Sequence, residues 1–188
     1  MLPKLRSYIE TAKALHPLLS DFSSDLRRSI RLAGLRYETH HTKDSLVEQL
    51  LDLTIALEAL FSPSDQTELS FRISQGVALV LGKSAAERKN IFEFAKKMYS
   101  ERSGFVHGGK DPVETNTITV GDIQHLGDLV RRAILSFGTM FARGERSRAN
   151  LHKEILLAAF DSVRADELRM RSDIEIFSVE RSRSAGSQ

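Results

Sequence analysis

Apolar residues recur at helical spacing along most of this chain. The clearest run lies within residues 44–61, where leucines follow one another at intervals of 4, 3, 4 and 3 residues. An adjacent stripe formed by Val47, Leu51 and Phe61 widens the apolar face. The pattern predicts a helix that is buried on more than one side, at the centre of the fold. The leucines that share its main face are Leu46, Leu50, Leu53, Leu57 and Leu60.

The same periodicity predicts helices on both sides of the central one. Their expected spans are 3–15, 20–37, 66–82, 84–108, 122–142 and 151–163. The prolines at 3, 17, 63 and 112 stand outside the periodic segments and mark their ends. Residues 113–120 are rich in β-formers and predict a loop or a short extended piece. We therefore expect an all-α bundle of about five or six helices.

Polar residues mark two of the predicted helix starts. Ser84 is followed three residues later by Glu87, which is the spacing of a capping box. Asp21, Ser23 and Ser24 are the candidate N-caps of the helix at 20–37.

The length of 188 residues suits one domain with a small appendage. We expect a helical domain over residues 1–145 with its core at 44–140, followed by a helical extension at 146–180. Residues 181–188 consist mainly of Ser, Arg and Gly, a composition typical of a disordered tail.

The composition of the chain indicates in which compartment of the cell we expect the protein. Hydrophobic residues make up 41% of the chain and charged residues 28%, as in ordinary soluble proteins. No apolar run approaches the roughly 20 residues that a membrane span requires. The first residues lack the pattern of a secretory signal, and cysteine is absent. We therefore expect a cytoplasmic protein without a membrane partner.

The net charge of +2 lacks the strong basic excess that is typical of nucleic-acid-binding domains. Any RNA binding would depend on local arginine clusters, and a solvated surface is the more ordinary role of such clusters. They are Arg27, Arg28 and Arg31; Arg131 and Arg132; and Arg143, Arg146 and Arg148.

The candidate chemistry lies in residues 102–108, whose sequence is RSGFVHG. The apolar stripe within residues 91–98 predicts another apolar residue near position 102, yet Arg102 stands there. A guanidinium on an inward face needs an anion or a partner interface. Arg102 is therefore the first candidate for a functional residue.

His107 follows Arg102 by five residues. On an unbroken helix this spacing sets the two side chains about 140° apart. Gly104, Gly108 and Gly109 would let the backbone bend or end here, so that the two side chains converge on one cleft.

Such a pair fits phosphodiester cleavage in RNA, because RNA carries its own nucleophile, the 2′-hydroxyl. Histidine, with an ordinary pKa of about 6.5, serves as base or acid, and arginine clamps phosphate oxygens. We expect no metal ion and no other cofactor, since the remaining histidines lack the spacing of a metal site. Those histidines include His40, His41 and His125. Taken alone, the Arg–His pair fits a structural role as well.

Three segments follow one another in a distinctive order. They are a helix ending in residues 55–61 (IALEALF), a helix that holds Arg72, and residues 98–108 (MYSERSGFVHG). Together they resemble the HEPN superfamily, and most closely its ApeA-like branch of bacterial anti-phage and conflict systems. The string Arg-Ser-x-x-x-His-Gly is similar to the superfamily's Arg-x(4–6)-His signature. The resemblance covers about residues 44–140.

The resemblance implies a HEPN-like helical bundle that dimerises, with Arg and His of both copies lining a shared cleft. It further implies a metal-independent ribonuclease that leaves a 2′,3′-cyclic phosphate. Arg102 and His107 match the catalytic pair. Glu58 matches the family's helix carboxylate, which either orients Arg102 or Arg72 or forms a structural salt bridge. The residues with either a supporting or a structural role are Ser103, Tyr99 and Arg72.

The leading hypothesis is a HEPN-type endoribonuclease that acts on RNA as a homodimer. Its setting would be anti-phage defence or a toxin–antitoxin system, with an antitoxin or a sensor as a further partner. Two alternatives stay open, a catalytically silent helical interaction module and a nucleotide-binding regulator. The silent module predicts that Arg102 is tied to Glu58 and that His107 is turned away from any open cleft.

Overall fold

A computed structural model describes residues 24–62, 68–109, 112–114 and 117–173. This part of the chain contains only helices and their connections, which confirms the predicted all-α bundle. None of its helices is both long enough and apolar enough to cross a bilayer. The helix predicted at 3–15 and the tail at 181–188 lie outside the described residues. The helices are α1 (Asp25–His40), α2 (Leu46–Phe61), α3 (Leu69–Leu81), α4 (Ala85–Gly108), α5 (Val120–Ala142), α6 (Arg148–Ala158) and α7 (Ser162–Ser172).

Helix α2 is the centre of the bundle and packs against α1, α3, α4 and α5. Four of the five leucines predicted to face inward are fully buried, and Leu46 at the first turn packs on the edge of the core. Burial of a leucine side chain stabilises a fold by about 1.5–3 kcal/mol, so this face is a main source of cohesion. The fully buried leucines are Leu50, Leu53, Leu57 and Leu60.

The helix starts follow the polar residues of the sequence. Ser24 is the N-cap of α1, and its hydroxyl accepts a hydrogen bond from the backbone N–H of Arg27. Ser84 caps α4 by accepting from the N–H of Glu87 at 3.2 Å. The Glu87 carboxylate accepts from the N–H of Lys83, one residue before the N-cap, at 2.9 Å. Both caps satisfy backbone donors that the first helical turn leaves without partners.

The single helix predicted at 151–163 is wrong, because two helices occupy this region. Helix α6 ends at Ala158, and α7 begins after Asp161. The Asp161 carboxylate accepts hydrogen bonds from the N–H groups of Val163 and Arg164, at 2.9 and 3.3 Å. An aspartate that caps a new helix competes with continuation of the old one, and the apolar periodicity does not register this competition.

Helices α6 and α7 pack on α3 and contribute Leu151, Ile155 and Leu168 to the same hydrophobic core as the preceding helices. Polar contacts fix the start of α6 to the start of α1. The Ser24 hydroxyl donates to the carbonyl of Arg146 at 2.6 Å, and the N–H of Arg148 donates to the Asp25 carboxylate at 3.1 Å. His152 Nε2 lies 2.8 Å from the carbonyl oxygen of Leu60 at the end of α2. The residues of the predicted extension that the structure describes are thus built into the bundle.

Gly76 of α3 allows a close helix approach. An added Cβ would lie 2.7 Å from Cδ1 of Phe61, which is buried and meets Phe137 edge to face at a centroid distance of 4.9 Å. A shift of the Phe61 ring away from the added Cβ would weaken its edge-to-face contact with Phe137, because both rings lie in the core.

We expect Gly76→Ala to lower the free energy of unfolding by about 1–3 kcal/mol, because overpacking outweighs the better helix propensity of alanine. Gly34→Ala in α1 is the matched control, since an added Cβ there meets no described atom within 4 Å. The control should be stabilised by about 0.5–1 kcal/mol. Urea unfolding of both variants measures the difference, and an unchanged Gly76→Ala midpoint would contradict the packing described.

His152 makes stability depend on pH. Burial is the main cause that lowers its pKa below about 6.5; the Leu60 carbonyl opposes this, while nearby Arg148 adds to the lowering. The unfolded chain therefore takes up this proton at a higher pH than the folded chain does. The contribution of neutral His152 to the unfolding free energy is complete above about pH 6.5. It is lost as the pH falls toward the lower pKa that His152 has in the folded state.

We expect the unfolding free energy to decrease as the pH falls below about 6.5, with a contribution from His152 of at most about 1.4 kcal/mol per pH unit. His152→Gln should flatten this decline. His125→Gln is the control, because His125 lies exposed on α5. Chemical unfolding at a series of pH values provides the measurement, and equal slopes for the wild type and His152→Gln would disprove the assignment.

Candidate functional site

Helix α4 carries most of the candidate residues and runs unbroken to Gly108. Gly104 does not end it, so the helix lacks the break through which Arg102 and His107 are expected to converge within one copy. The helix ends at Gly109, whose φ of +61° is the left-handed conformation that glycine favours at this position. Its N–H meets the carbonyl oxygens of Gly104 and Phe105. A single glycine costs a helix only about 1 kcal/mol relative to alanine, which a long, packed helix tolerates.

Arg102 lies on the inward side of α4, one turn beyond the buried Met98. Its Nη2 lies 3.5 Å from Oε1 of Glu58 on α2, and the two side chains are 24% and 23% exposed. The cation that interrupts the apolar stripe is thus met by the carboxylate that interrupts the leucine helix. Two of the roles expected for Glu58 predict this contact: a carboxylate that orients Arg102, and a structural salt bridge.

The ion pair leaves two polar atoms incompletely satisfied. Glu58 Oε1 and Arg102 Nε are inaccessible to solvent, yet neither has a hydrogen-bond partner within the described ranges. A buried polar atom without a partner costs about 1–3 kcal/mol, more if it is charged. The site therefore has unused capacity for one acceptor at Arg102 and one donor at Glu58.

Tyr99 joins α4 to α2 beside this pair. It is buried, and its hydroxyl donates to the carbonyl oxygen of Thr54 at 2.9 Å. Burial raises the pKa of Tyr99 well above its usual value of about 10; Glu58 adds to this effect and Arg102 opposes it. The phenol is therefore neutral and positions α4 against α2.

His107 and Ser103 lie exposed toward the end of α4. Because α4 is continuous, His107 projects about 140° around the helix axis from Arg102 and lies roughly 7.5 Å further along it. One copy of the chain thus presents an inward arginine, held by a carboxylate, and an outward histidine. The two do not face the same cleft within a single copy.

Arg72 lies in a different place, on α3. It lines a cavity of about 170 Å³ together with Phe61 and Gly76 on one side and His152 and Leu156 of α6 on the other.

The pair of His40 and His41 has a local structural role. His40 is buried, with its Nδ1 hydrogen-bonded to the Tyr37 carbonyl oxygen and its ring 3.8 Å from that of His41. Burial lowers the pKa of His40. Within the described ranges no group of three or more His, Cys, Asp or Glu side chains could hold a metal ion.

The cluster of Arg27, Arg28 and Arg31 does not form one surface, because Arg27 is buried. Arg146 donates to the Phe141 carbonyl oxygen at 2.5 Å and covers the Phe141 ring, and Arg148 donates to the carbonyl oxygen of Ser62. These two arginines therefore help to close the bundle at the end of α5.

Arg131 and Arg132 line a larger cavity of about 360 Å³ between α3, α5 and α7. Two further cations line the same cavity, Lys83 before α4 and Arg169 on α7. The sequence pattern does not indicate this grouping, because the four residues come from three separate segments. Only Arg131 and Arg132 are neighbours in the chain.

Comparison of the chain with protein-family models, with curated proteins and with solved structures returns no match.

We expect Glu58 and Arg102 to be energetically coupled by about 1 kcal/mol, because the pair is largely removed from solvent. A double-mutant cycle with Glu58→Gln and Arg102→Gln, measured by urea unfolding, gives the coupling. The control cycle uses Lys89 and Glu93 of the same helix, a pair that is 3.8 Å apart and 73% and 62% exposed. Exposed pairs of this kind contribute about 0.3–0.5 kcal/mol. A coupling no larger than that of the control would contradict a buried orienting contact.

Proposed function

We propose that this chain is a metal-independent endoribonuclease of the HEPN type that acts as a homodimer. The observation that carries the proposal is the pairing of Arg102 with Glu58 on the inward side of α4, with His107 exposed near the end of the same helix. It adds to the resemblance of residues 98–108 to the Arg-x(4–6)-His signature. Anti-phage defence or a toxin–antitoxin system is the proposed setting, with an antitoxin or a sensor as a further partner.

The proposed reaction is an internal transfer of the phosphoryl group. A base removes the proton of the ribose 2′-hydroxyl, whose oxygen attacks the adjacent phosphorus. The P–O5′ bond then breaks, the 5′-oxygen takes up a proton, and a 2′,3′-cyclic phosphate remains. Arg102 would bind the non-bridging oxygens as negative charge builds up on them, and His107 would transfer a proton.

Glu58 supports this role by fixing the guanidinium before RNA binds. A pre-positioned cation needs no reorganisation when the negative charge develops. The unused donor on Arg102 Nε is available to the site once the side chain turns toward a phosphate. Tyr99 and its bond to Thr54 hold the turn of α4 that carries Arg102.

A second copy of the chain completes the proposed cleft. Because Arg102 and His107 of one copy project in different directions from a continuous helix, one copy does not surround a phosphodiester. If the ends of two α4 helices meet, the exposed His107 of one copy can approach the Arg102 of the other. The active form is therefore proposed to be the dimer.

A catalytically silent interaction module is the second candidate, and a specific observation favours it. Arg102 is already neutralised by Glu58, and His107 is turned outward, which are the two features expected of a silent module. Such a chain would dimerise and bind a partner, or bind a nucleotide, without cleaving RNA.

The test is cleavage of single-stranded RNA by the purified chain in EDTA. We expect products that end in a 2′,3′-cyclic phosphate. Arg102→Ala should lower the rate by about 100- to 1,000-fold, and His107→Ala by about 100-fold or more. His125→Ala is the matched control, an exposed histidine on α5, and should cleave at the wild-type rate.

The molar mass of each variant in solution, from light scattering, accompanies the assay. A dimer that lacks EDTA-resistant cleavage identifies the silent module. Cleavage that is equal in the wild type, Arg102→Ala and His107→Ala would assign the activity to a contaminant and reject the proposal.

A further inference from the structure

The cavity of about 360 Å³ that Arg131 and Arg132 line lies near the start of α4, whereas Arg102 lies near its end. Glu87, in the first turn of α4, is one of its lining residues. The 15 residues between Glu87 and Arg102 correspond to roughly 22 Å of helix. The cavity is therefore separate from the proposed ribonuclease site, and its volume falls in the range typical of small-molecule sites.

The polar part of the wall is predominantly cationic. Among the described residues, four cations and two carboxylates line the cavity, together with the hydroxyls of Ser136 and Ser172. A predominantly positive wall in a concave site attracts an anion, and Arg131 contributes to it while paired with Asp128 at 2.6 Å. The cations are Lys83, Arg131, Arg132 and Arg169, and the carboxylates are Glu87 and Asp173.

One of these cations, Arg132, binds the C-terminal end of α3. Arg132 donates to the carbonyl oxygen of Leu81 at 3.0 Å and lies 3.5 Å from Glu87. A cation at the C-terminus of a helix complements the helix dipole, so Arg132 has a structural role. The same role does not extend to Lys83 and Arg169.

Arg169 has a buried donor without an acceptor. Its Nε is inaccessible to solvent and has no hydrogen-bond partner in the part of the chain that the structure describes. The nearest carboxylate, that of Asp166, lies 4.0 Å away and is largely exposed. Lys83, in contrast, has no carboxylate within ion-pair distance of its ammonium among the described residues. Both cations can therefore meet a bound anion.

We propose that this cavity binds a phosphate dianion, either free or as the head of a small phosphomonoester. Arg169 and Lys83 would hold the phosphate oxygens by charge-assisted hydrogen bonds, with Arg131 at the rim. Val80, Leu81 and Leu135 form an apolar wall against which the organic part of an ester would pack.

A small molecule fits the cavity better than an RNA backbone does. A polynucleotide needs a groove that follows successive phosphates, usually with aromatic side chains for its bases. This cavity is bounded by residues of α3, α5 and α7 and by Glu87 of α4, and none of the described residues that line it is aromatic. RNA binding is therefore an outcome that the experiment must separate from the proposal.

Isothermal titration calorimetry of the full chain, in phosphate-free buffer at constant ionic strength, tests the site. The probes are phenyl phosphate, inorganic phosphate and a hexaribonucleotide without terminal phosphates. We expect saturable binding of phenyl phosphate, weakened about tenfold or more in Lys83→Gln and in Arg169→Gln. Arg164→Gln is the matched control on α7, because Arg164 pairs with Asp161 at 3.4 Å and does not line the cavity.

Thermal unfolding verifies that each variant is folded, and Lys83→Gln, at an exposed position between helices, keeps the test valid if Arg169→Gln is unstable. Tighter binding of phenyl phosphate than of inorganic phosphate identifies an ester as the ligand, and equal binding identifies free phosphate. The proposal is overturned by the absence of saturable binding, by equal losses in Arg164→Gln, or by binding of the hexaribonucleotide alone. These results do not depend on Arg102 or His107, so the ribonuclease proposal stands or fails separately.

Discussion

The burial of α2 on several sides is the constraint on which the rest of the structure depends. The buried polar groups of such a helix need hydrogen-bond partners within the protein, and neighbouring helices supply several of them. Asp52 is hydrogen-bonded to α1, the Thr54 carbonyl accepts from Tyr99, and the Glu58 carboxylate faces Arg102. The polar residues of α2 thus determine how α1 and α4 are oriented. The contact between Glu58 and Arg102, on which the candidate site is built, follows from the same need for hydrogen-bond partners.

Because Glu58 and Arg102 meet for a structural reason, the site is compatible with two functions, one structural and one catalytic. A carboxylate that neutralises an inward arginine stabilises the bundle, and it also fixes the arginine in place for an incoming phosphate. Since α4 is continuous through Gly108, helix geometry sets Arg102 and His107 about 140° apart around its axis. Whether they share a cleft is decided by the surface that approaches the end of α4.

The sequence predicts best the features that depend on local patterns. The leucine spacing within residues 44–61 correctly indicates the central helix, because one-sided burial repeats with the helical period. The pattern gives no sign that Gly104 and Gly109 differ: one glycine weakens a helix without ending it, whereas Gly109 adopts the positive φ that ends it. The break at Asp161 depends on side-chain capping rather than on apolar period. The pairing of Arg102 with Glu58 is one of the alternatives that the sequence predicts. The position of Arg169 and Lys83 in one cavity depends on tertiary packing, and no local sequence pattern predicts it.

The contacts between the start of α1 and the start of α6 have a consequence for the order of folding. Ser24 and Arg146 are hydrogen-bonded although 122 residues separate them. At a synthesis rate of about 5–20 residues per second, the partner of Ser24 emerges from the ribosome roughly 6–24 s later. During that interval the nascent bundle has the entry to α1 and the end of α2 uncovered, including the Leu60 carbonyl that later meets His152. This end of the bundle is the region where a chaperone or a second nascent chain would find an open surface.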